Sequence, residues 1–201
     1  MLATRFLFLT RHGEAAPNGM LTEAGQRQAV LLGRRLRDVP VTAIHHGPLP
    51  RATETAQLMA AQLPGVAVHE EEAAGDFVPY LPKREELPET SGDLLLAFAR
   101  QHPPADEELA AEAERRFTGP VPATEPRYDV VVTHNFLVGW LVSASQDAPR
   151  WRWLALNHAN AGLTVIRYSP GRPAALLTYN DLSHLPAELR WTGFPPDFYV
   201  P

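Results

Sequence analysis

Phe6-Leu7-Phe8-Leu9-Thr10-Arg11-His12-Gly13-Glu14 decides how this chain is read. Phe6 to Thr10 is an apolar run of strand length with no alternation, the pattern of a strand buried on both faces of a parallel sheet. Its C-terminal end gives way at once to Arg11-His12-Gly13. A second run, Val130-Val131-Val132, behaves the same way and ends in Thr133-His134-Asn135. Three consecutive β-branched residues make it the strongest strand signal in the chain.

Between these two runs the pattern alternates. Thr22 is a natural N-cap for a helix over Glu23 to Arg37, where Ala24, Ala29, Leu32 and Leu36 form an apolar stripe among Arg and Gln. Val41 to His45 reads as a strand, Arg51 to Leu63 as a helix closed by Pro64-Gly65, and Val66 to Val68 as a third strand. Residues 91 to 101 and 105 to 117 carry helical spacing, and the second begins acidic and ends in arginine, as the helix dipole favours. Phe136 to Ser145 is predicted helical. Leu163 to Tyr168 and Ala175 to Tyr179 are predicted to form a hairpin around Ser169-Pro170-Gly171. The expected fold is α/β: a three-layer sandwich whose mostly parallel central sheet is flanked by helices, with one antiparallel edge from the hairpin. In such folds ligands bind beyond the C-terminal strand ends. Arg11-His12 and His134, more than a hundred residues apart in the sequence, are thereby expected to meet in one crevice.

The composition narrows the classes. The length of 201 residues suits one domain, expected to span 1–201, and 45% hydrophobic residues exclude a disordered or fibrous chain. A net charge of −5 and the lack of a basic stripe argue against nucleic acid as a partner. There is no cysteine, which removes disulfides, thiolate nucleophiles and cysteine-bound metals. Neither a His-x-x-x-His nor a His-x-Asp pair appears among the eight histidines, so no metal and no cofactor is expected. The N-terminal apolar run is too short for a signal peptide or a membrane span, which gives the expectation of a cytoplasmic protein with no membrane partner. Many of the 20 prolines fall between residues 79 and 126, a stretch expected to be irregular. No feature of the sequence sets an oligomeric state.

Three segments in order resemble the histidine phosphatase superfamily, also called phosphoglycerate mutase-like. Leu9 to Glu14 resembles its Arg-His-Gly motif. Pro48-Leu49-Pro50-Arg51-Ala52-Thr53-Glu54-Thr55-Ala56 resembles the segment whose arginine binds the transferring phosphoryl group, and Val131 to Asn135 the strand that delivers a second histidine. Leu21-Thr22-Glu23-Ala24-Gly25 and Asn157 to Thr164 are similar to smaller family features, and Asn18 lies six residues past His12, as an asparagine often does in the family. His46-Gly47 departs from the two serines usual before Pro-Leu, and Asn135 stands where glycine usually follows the histidine.

The resemblance implies a phosphohydrolase that passes through a phosphohistidine on His12, and elementary chemistry agrees. A phosphoryl group in transfer spreads charge over three equatorial oxygens that need preorganised donors. Arg11 and Arg51 bring forked guanidiniums, His134 a ring N–H, and neutral His12 a lone pair for in-line attack. Asn18 and Asn135 are candidate substrate contacts. The departing alkoxide needs an acid, which by the resemblance follows the third strand; Glu70, Glu71, Glu72 and Asp76 are there. Asp76 is preferred because Phe77, Val78 and Pro79 beside it are expected to desolvate it, whereas a Glu run is ordinarily a solvated face. Taken singly, each histidine or arginine is ordinarily structural, and it is their order that gives them chemistry. The substrate expected is a small phosphorylated metabolite. A phosphoglycerate mutase and a catalytically idle phosphate-binding module are the alternatives.

Overall fold

A computed structural model describes residues 1–195, so the expected 1–201 unit runs past the described residues at its C-terminal end. In chain order the elements are β1 (Leu2–Ala3), β2 (Arg5–Arg11), α1 (Glu23–Arg35), β3 (Ala43–His46), α2 (Pro50–Ala60), β4 (Ala67–Glu70), α3 (Gly92–Ala99), α4 (Glu107–Phe117), β5 (Val121–Pro122), β6 (Arg127–Thr133), α5 (Asn135–Ser145), β7 (Leu163–Tyr168) and β8 (Ala175–Asp181). Six strands form one sheet in the order β4-β3-β6-β2-β7-β8. β4, β3, β6 and β2 run parallel, and β7 runs against both β2 and β8, so antiparallel pairing is confined to the hairpin side. The two-residue strands β1 and β5 pair with each other outside this sheet.

The uniform apolarity of β2 has a simple cause, since both faces of the strand are covered. Leu7 and Leu9 point to one side, with Val131 and Ile166, and meet Phe117 of α4 and Leu137 and Leu141 of α5. Phe8 points to the other side, with Ile44, Val130 and Val132, and meets Leu32 of α1 and Met59 of α2. This is the three-layer sandwich expected. Each fully buried leucine contributes about 2 kcal/mol from lost apolar exposure. Truncating Leu9, at 0% exposure, to alanine would cost roughly 2–5 kcal/mol including the cavity left behind.

Local signals place the helices. The Thr22 hydroxyl accepts from Gly25 N at 3.0 Å and caps α1, and the Asp106 carboxylate accepts from Leu109 N at 2.9 Å and caps α4. β3 starts two residues later than the apolar pattern implies, because Val39 and Val41 close a tight turn through a 2.7 Å backbone hydrogen bond. The hairpin turn has Gly171 at φ 69°, a conformation open to glycine at little cost. The proline-rich stretch holds α3 and short 3₁₀ turns at the C-terminal rim of the sheet.

Candidate active site

The topology itself brings the two histidine-bearing strand ends together. β6 lies beside β2 in parallel with Arg11 opposite Thr133, and His12 N donates to Thr133 O at 3.0 Å. The next residue on each strand, His12 and His134, therefore shares one edge, and their ring centroids are 5.0 Å apart. The turn after β2 can pass over α1 only because two glycines face each other. A Cβ on Gly13 would lie 2.5 Å from the Gly25 carbonyl oxygen, and one on Gly25 would lie 2.0 Å from that of Glu14.

The His12 ring is held at both nitrogens. Nδ1 donates to Gly13 O at 2.7 Å, and Nε2 accepts from Arg51 Nε at 3.1 Å, which together fix the tautomer with the lone pair on Nε2. Burial, with His134, Arg11 and Arg51 adding repulsion to a proton, pushes its pKa down to about 3, so the imidazole is neutral at any ordinary pH. His134 is pushed down to about 3 as well, by burial first and then by Arg51 and Arg11. Both His134 ring nitrogens are buried and make no hydrogen bond among the described residues.

Arg11 and Arg51 flank the pair. Arg11 Nη1 donates to His158 O at 3.0 Å and Gly193 O at 2.6 Å, which orient the guanidinium. Burial lowers its pKa to about 10, still well above neutrality, with Asp76 opposing the shift and Arg51 adding to it. Arg51 lies in the first turn of α2, behind Pro50 at the helix start, and Arg51 Nη2 donates to Asp76 Oδ2 at 2.7 Å. The same Asp76 oxygen lies 3.5 Å from His134 Nδ1. α2 and α5 both begin at this edge, and neither first turn is capped by a side chain, so two positive helix ends face the cleft.

The cleft has a volume of about 600 Å³, and Arg11, His12, Arg51, Asp76, His134 and Asn135 all line it. Two expectations need correction. The Asp76 side chain is not desolvated: it is 38% exposed, because Phe77 and Val78 turn into the core while Asp76 faces Arg51. Asn18 lies outside the lining; it is exposed in the loop before α1, and its Oδ1 accepts from Met20 N at 3.1 Å. Asn135 faces the cleft with its amide engaged, Oδ1 accepting from His158 N at 2.8 Å. Glu71 is tied to His45, at 3.2 Å, and to Arg116 of α4, and neither Glu71 nor Glu72 lines the cleft.

Three supporting residues were not foreseen. Thr55 Oγ1 accepts from Gly13 N at 3.0 Å and donates to Arg51 O at 2.7 Å, coupling the two motifs. Asn160 Nδ2 donates to His12 O at 2.9 Å. Ala161 N donates to Arg11 O at 3.0 Å from a left-handed backbone, φ 54°, which costs an alanine on the order of 1 kcal/mol and here fixes the strand end. Thr55 lies within the second motif and Asn160 within the late one, but which atoms each would touch depends on the fold.

A sheet that delivers two neutral histidines between two guanidiniums and a carboxylate defines a phosphoryl-transfer class of site. The chain belongs to the histidine phosphatase superfamily: the family model, branch 1, matches residues 7–181. Among curated proteins it is similar to the serine/threonine-protein phosphatase Pgam5, mitochondrial, of Caenorhabditis elegans, with 28% identity over 92% of this chain and 65% of the relative. The human counterpart is 25% identical over 92% of this chain and 65% of its own length. The chain thus spans about 65% of the length of these relatives. Among solved structures, Entamoeba histolytica phosphoserine phosphatase in complex with 3-phosphoglyceric acid shares the fold, with TM-score 0.63, 19% identity, and coverage of 90% of this chain and 100% of that one.

The expectation of a cytoplasmic protein is overturned, because the curated relatives are mitochondrial by name. That expectation rested on the shortness of an apolar run. An organelle address is a receptor-read sequence that need not be apolar, so the run carries no such information. Among the described residues no helix is long and apolar enough to cross a membrane.

Proposed function

We propose that this chain hydrolyses phosphomonoesters through a phosphohistidine on His12. The observation that carries the reading is the doubly anchored His12 ring, which presents a neutral Nε2 lone pair between Arg11, Arg51 and His134. The phosphoryl group sits between the guanidiniums, and its oxygens take the donor that Arg51 Nε now gives to His12. His134, buried with no hydrogen bond among the described residues, gives a third donor; an unsatisfied buried ring costs about 1–3 kcal/mol, which a bound phosphoryl oxygen relieves. Nε2 attacks in line as the P–O bond breaks. Asp76, on the same edge, protonates the leaving alkoxide and then takes a proton from the water that cleaves the P–N bond. The products are the alcohol and inorganic phosphate. In this reading residues 1–201 act as one domain.

The substrate proposed is a small phosphorylated metabolite. A second reading, phosphoserine or phosphothreonine on a protein, is favoured by the names of the curated relatives, which are serine/threonine-protein phosphatases. Stopped-flow hydrolysis of p-nitrophenyl phosphate tests the common mechanism: a burst of nitrophenolate stoichiometric with enzyme is expected when dephosphorylation is the slower step. Product analysis with 3-phosphoglycerate separates hydrolysis, which releases phosphate, from a mutase, which releases an isomer. Isomerisation without phosphate release refutes the proposal, and so does failure to release phosphate from any ester.

A further inference from the structure

Beside the phosphate cleft lies a second cavity of about 860 Å³ whose walls include Leu94, Leu95, Phe98, Leu156 and Tyr179. Phe98, Asn157 and Pro195 line both cavities, so the groove is a continuation of the cleft. Among the described residues no charged side chain lines the groove, and the only arginines or lysines lining the cleft are Arg11 and Arg51, both at the phosphoryl position. Two of the groove's polar side-chain groups are already engaged. Tyr179 Oη donates to Asn157 O at 3.2 Å, and Asn180 Oδ1 accepts from Ala159 N at 3.0 Å. On α3, meanwhile, Leu94 and Phe98 remain 74% and 40% exposed, an outlay of apolar surface unusual unless something covers it.

Resting on the phosphohydrolase reading, we propose that this groove is the subsite for the alcohol portion of the substrate, and that the substrate class is a small phosphomonoester of an apolar, ring-bearing alcohol. A phosphoryl group clamped by Arg11 and Arg51 has its ester oxygen toward Asp76, and the alcohol carbon chain continues past Phe98 into the groove. A carboxylate or second phosphate on that chain finds no cation among the groove's described lining residues and loses its water, which disfavours phosphoglycerate and bisphosphates. An aryl or branched ring finds apolar walls and edge contacts from Phe98.

Non-hydrolysable phosphonates test this independently of turnover. Calorimetric titration of the whole chain with 3-phenylpropylphosphonate and with propylphosphonate, which share a headgroup, isolates the ring. Burying it is expected to make the phenyl compound about 30-fold tighter. Leu94→Glu, at an exposed position where the fold tolerates change, and Phe98→Ser are each expected to cut that ratio at least fivefold. Hydrolysis of the matching esters, 3-phenylpropyl phosphate and propyl phosphate, both of primary alcohols, should follow the same order in kcat/KM. Equal phosphonate affinities overturn the subsite even if both esters are hydrolysed, and so does a ratio that neither variant changes. A phosphoseryl peptide hydrolysed more than tenfold better than the phenylpropyl ester overturns the small-ester class. A preserved affinity ratio with no hydrolysis of any ester counts against the phosphohydrolase reading alone.

Discussion

Arg51→Lys is the substitution whose cost the structure predicts most specifically. One guanidinium reaches two partners at once, His12 Nε2 at 3.1 Å through Nε and Asp76 Oδ2 at 2.7 Å through Nη2. A lysine ammonium is one point donor on a flexible stem and cannot span both, although it keeps the charge. A hydrogen bond to a charged group is worth about 1.5–3 kcal/mol, so losing the Nε donor that passes from His12 to the transferring phosphoryl group slows the reaction about 10- to 150-fold. If the clamp grips mainly in the transition state, the loss approaches the 100- to 1,000-fold typical of a removed oxyanion donor. The Arg51 side chain is 21% exposed and its ion pair partly solvated, so the fold should lose no more than about 1 kcal/mol. The assay is kcat/KM for an alkyl phosphate, run beside urea denaturation of the same preparation. Activity within threefold of the parent, with stability unchanged, would show that a single charge suffices there and would refute the bidentate clamp.

Asp76→Asn is expected to slow an alkyl phosphate by about 100- to 10,000-fold in the phosphorylation step and p-nitrophenyl phosphate far less, because nitrophenolate leaves without a proton. Equal slowing of both in single-turnover experiments would remove Asp76 from the acid role. The stability of the fold should fall as pH drops below about 6.5, because His12, His134 and His158 are each pushed down to about 3 by burial and stay neutral while the unfolded chain takes up protons. Each withdraws up to roughly 1.4 kcal/mol per pH unit, on the order of 4 kcal/mol together at pH 5.5, and His158→Phe should flatten the slope in urea titrations. A stability that does not change between pH 7.5 and 5.5 would contradict their burial as neutral rings. Activity should persist in excess EDTA and be inhibited by vanadate, which adopts the trigonal-bipyramidal geometry of the transferring group. Loss in EDTA restored by a divalent ion would mean that a metal assists the two arginines.

Much of the site was legible because its residues sit where local patterns end. Leu9 to Gly13 and Val130 to His134 are strand runs stopped by polar residues, and parallel pairing in register then makes neighbours of His12 and His134. Pro50 at the start of α2 and the first-turn position of Arg51 can likewise be read from sequence spacing. Contacts between distant elements cannot be. Glu71 is withdrawn from the cleft by Arg116, 45 residues later, and the two ends of that ion pair carry no sequence sign of each other. The apolar residues after Asp76 suggest a desolvated carboxylate, yet Phe77 and Val78 pack into the core, and Arg51 is what marks Asp76. The opposition of Gly13 to Gly25, the Thr55 bridge and the left-handed Ala161 also depend on tertiary packing that periodicity does not encode.

A covalent intermediate on His12 can be trapped and located directly. The enzyme is mixed with ³²P-labelled phenyl phosphate and quenched within milliseconds in alkali, where a phosphoramidate survives and a serine ester or acyl phosphate does not. It is then digested, and the labelled peptide is sequenced by mass spectrometry. One alkali-stable, acid-labile phosphoryl group per chain is expected on His12, absent from His12→Ala, with His134→Ala still labelled on His12 but more slowly. Label on any other residue, or turnover in His12→Ala comparable to the parent, would contradict a phosphohistidine on His12.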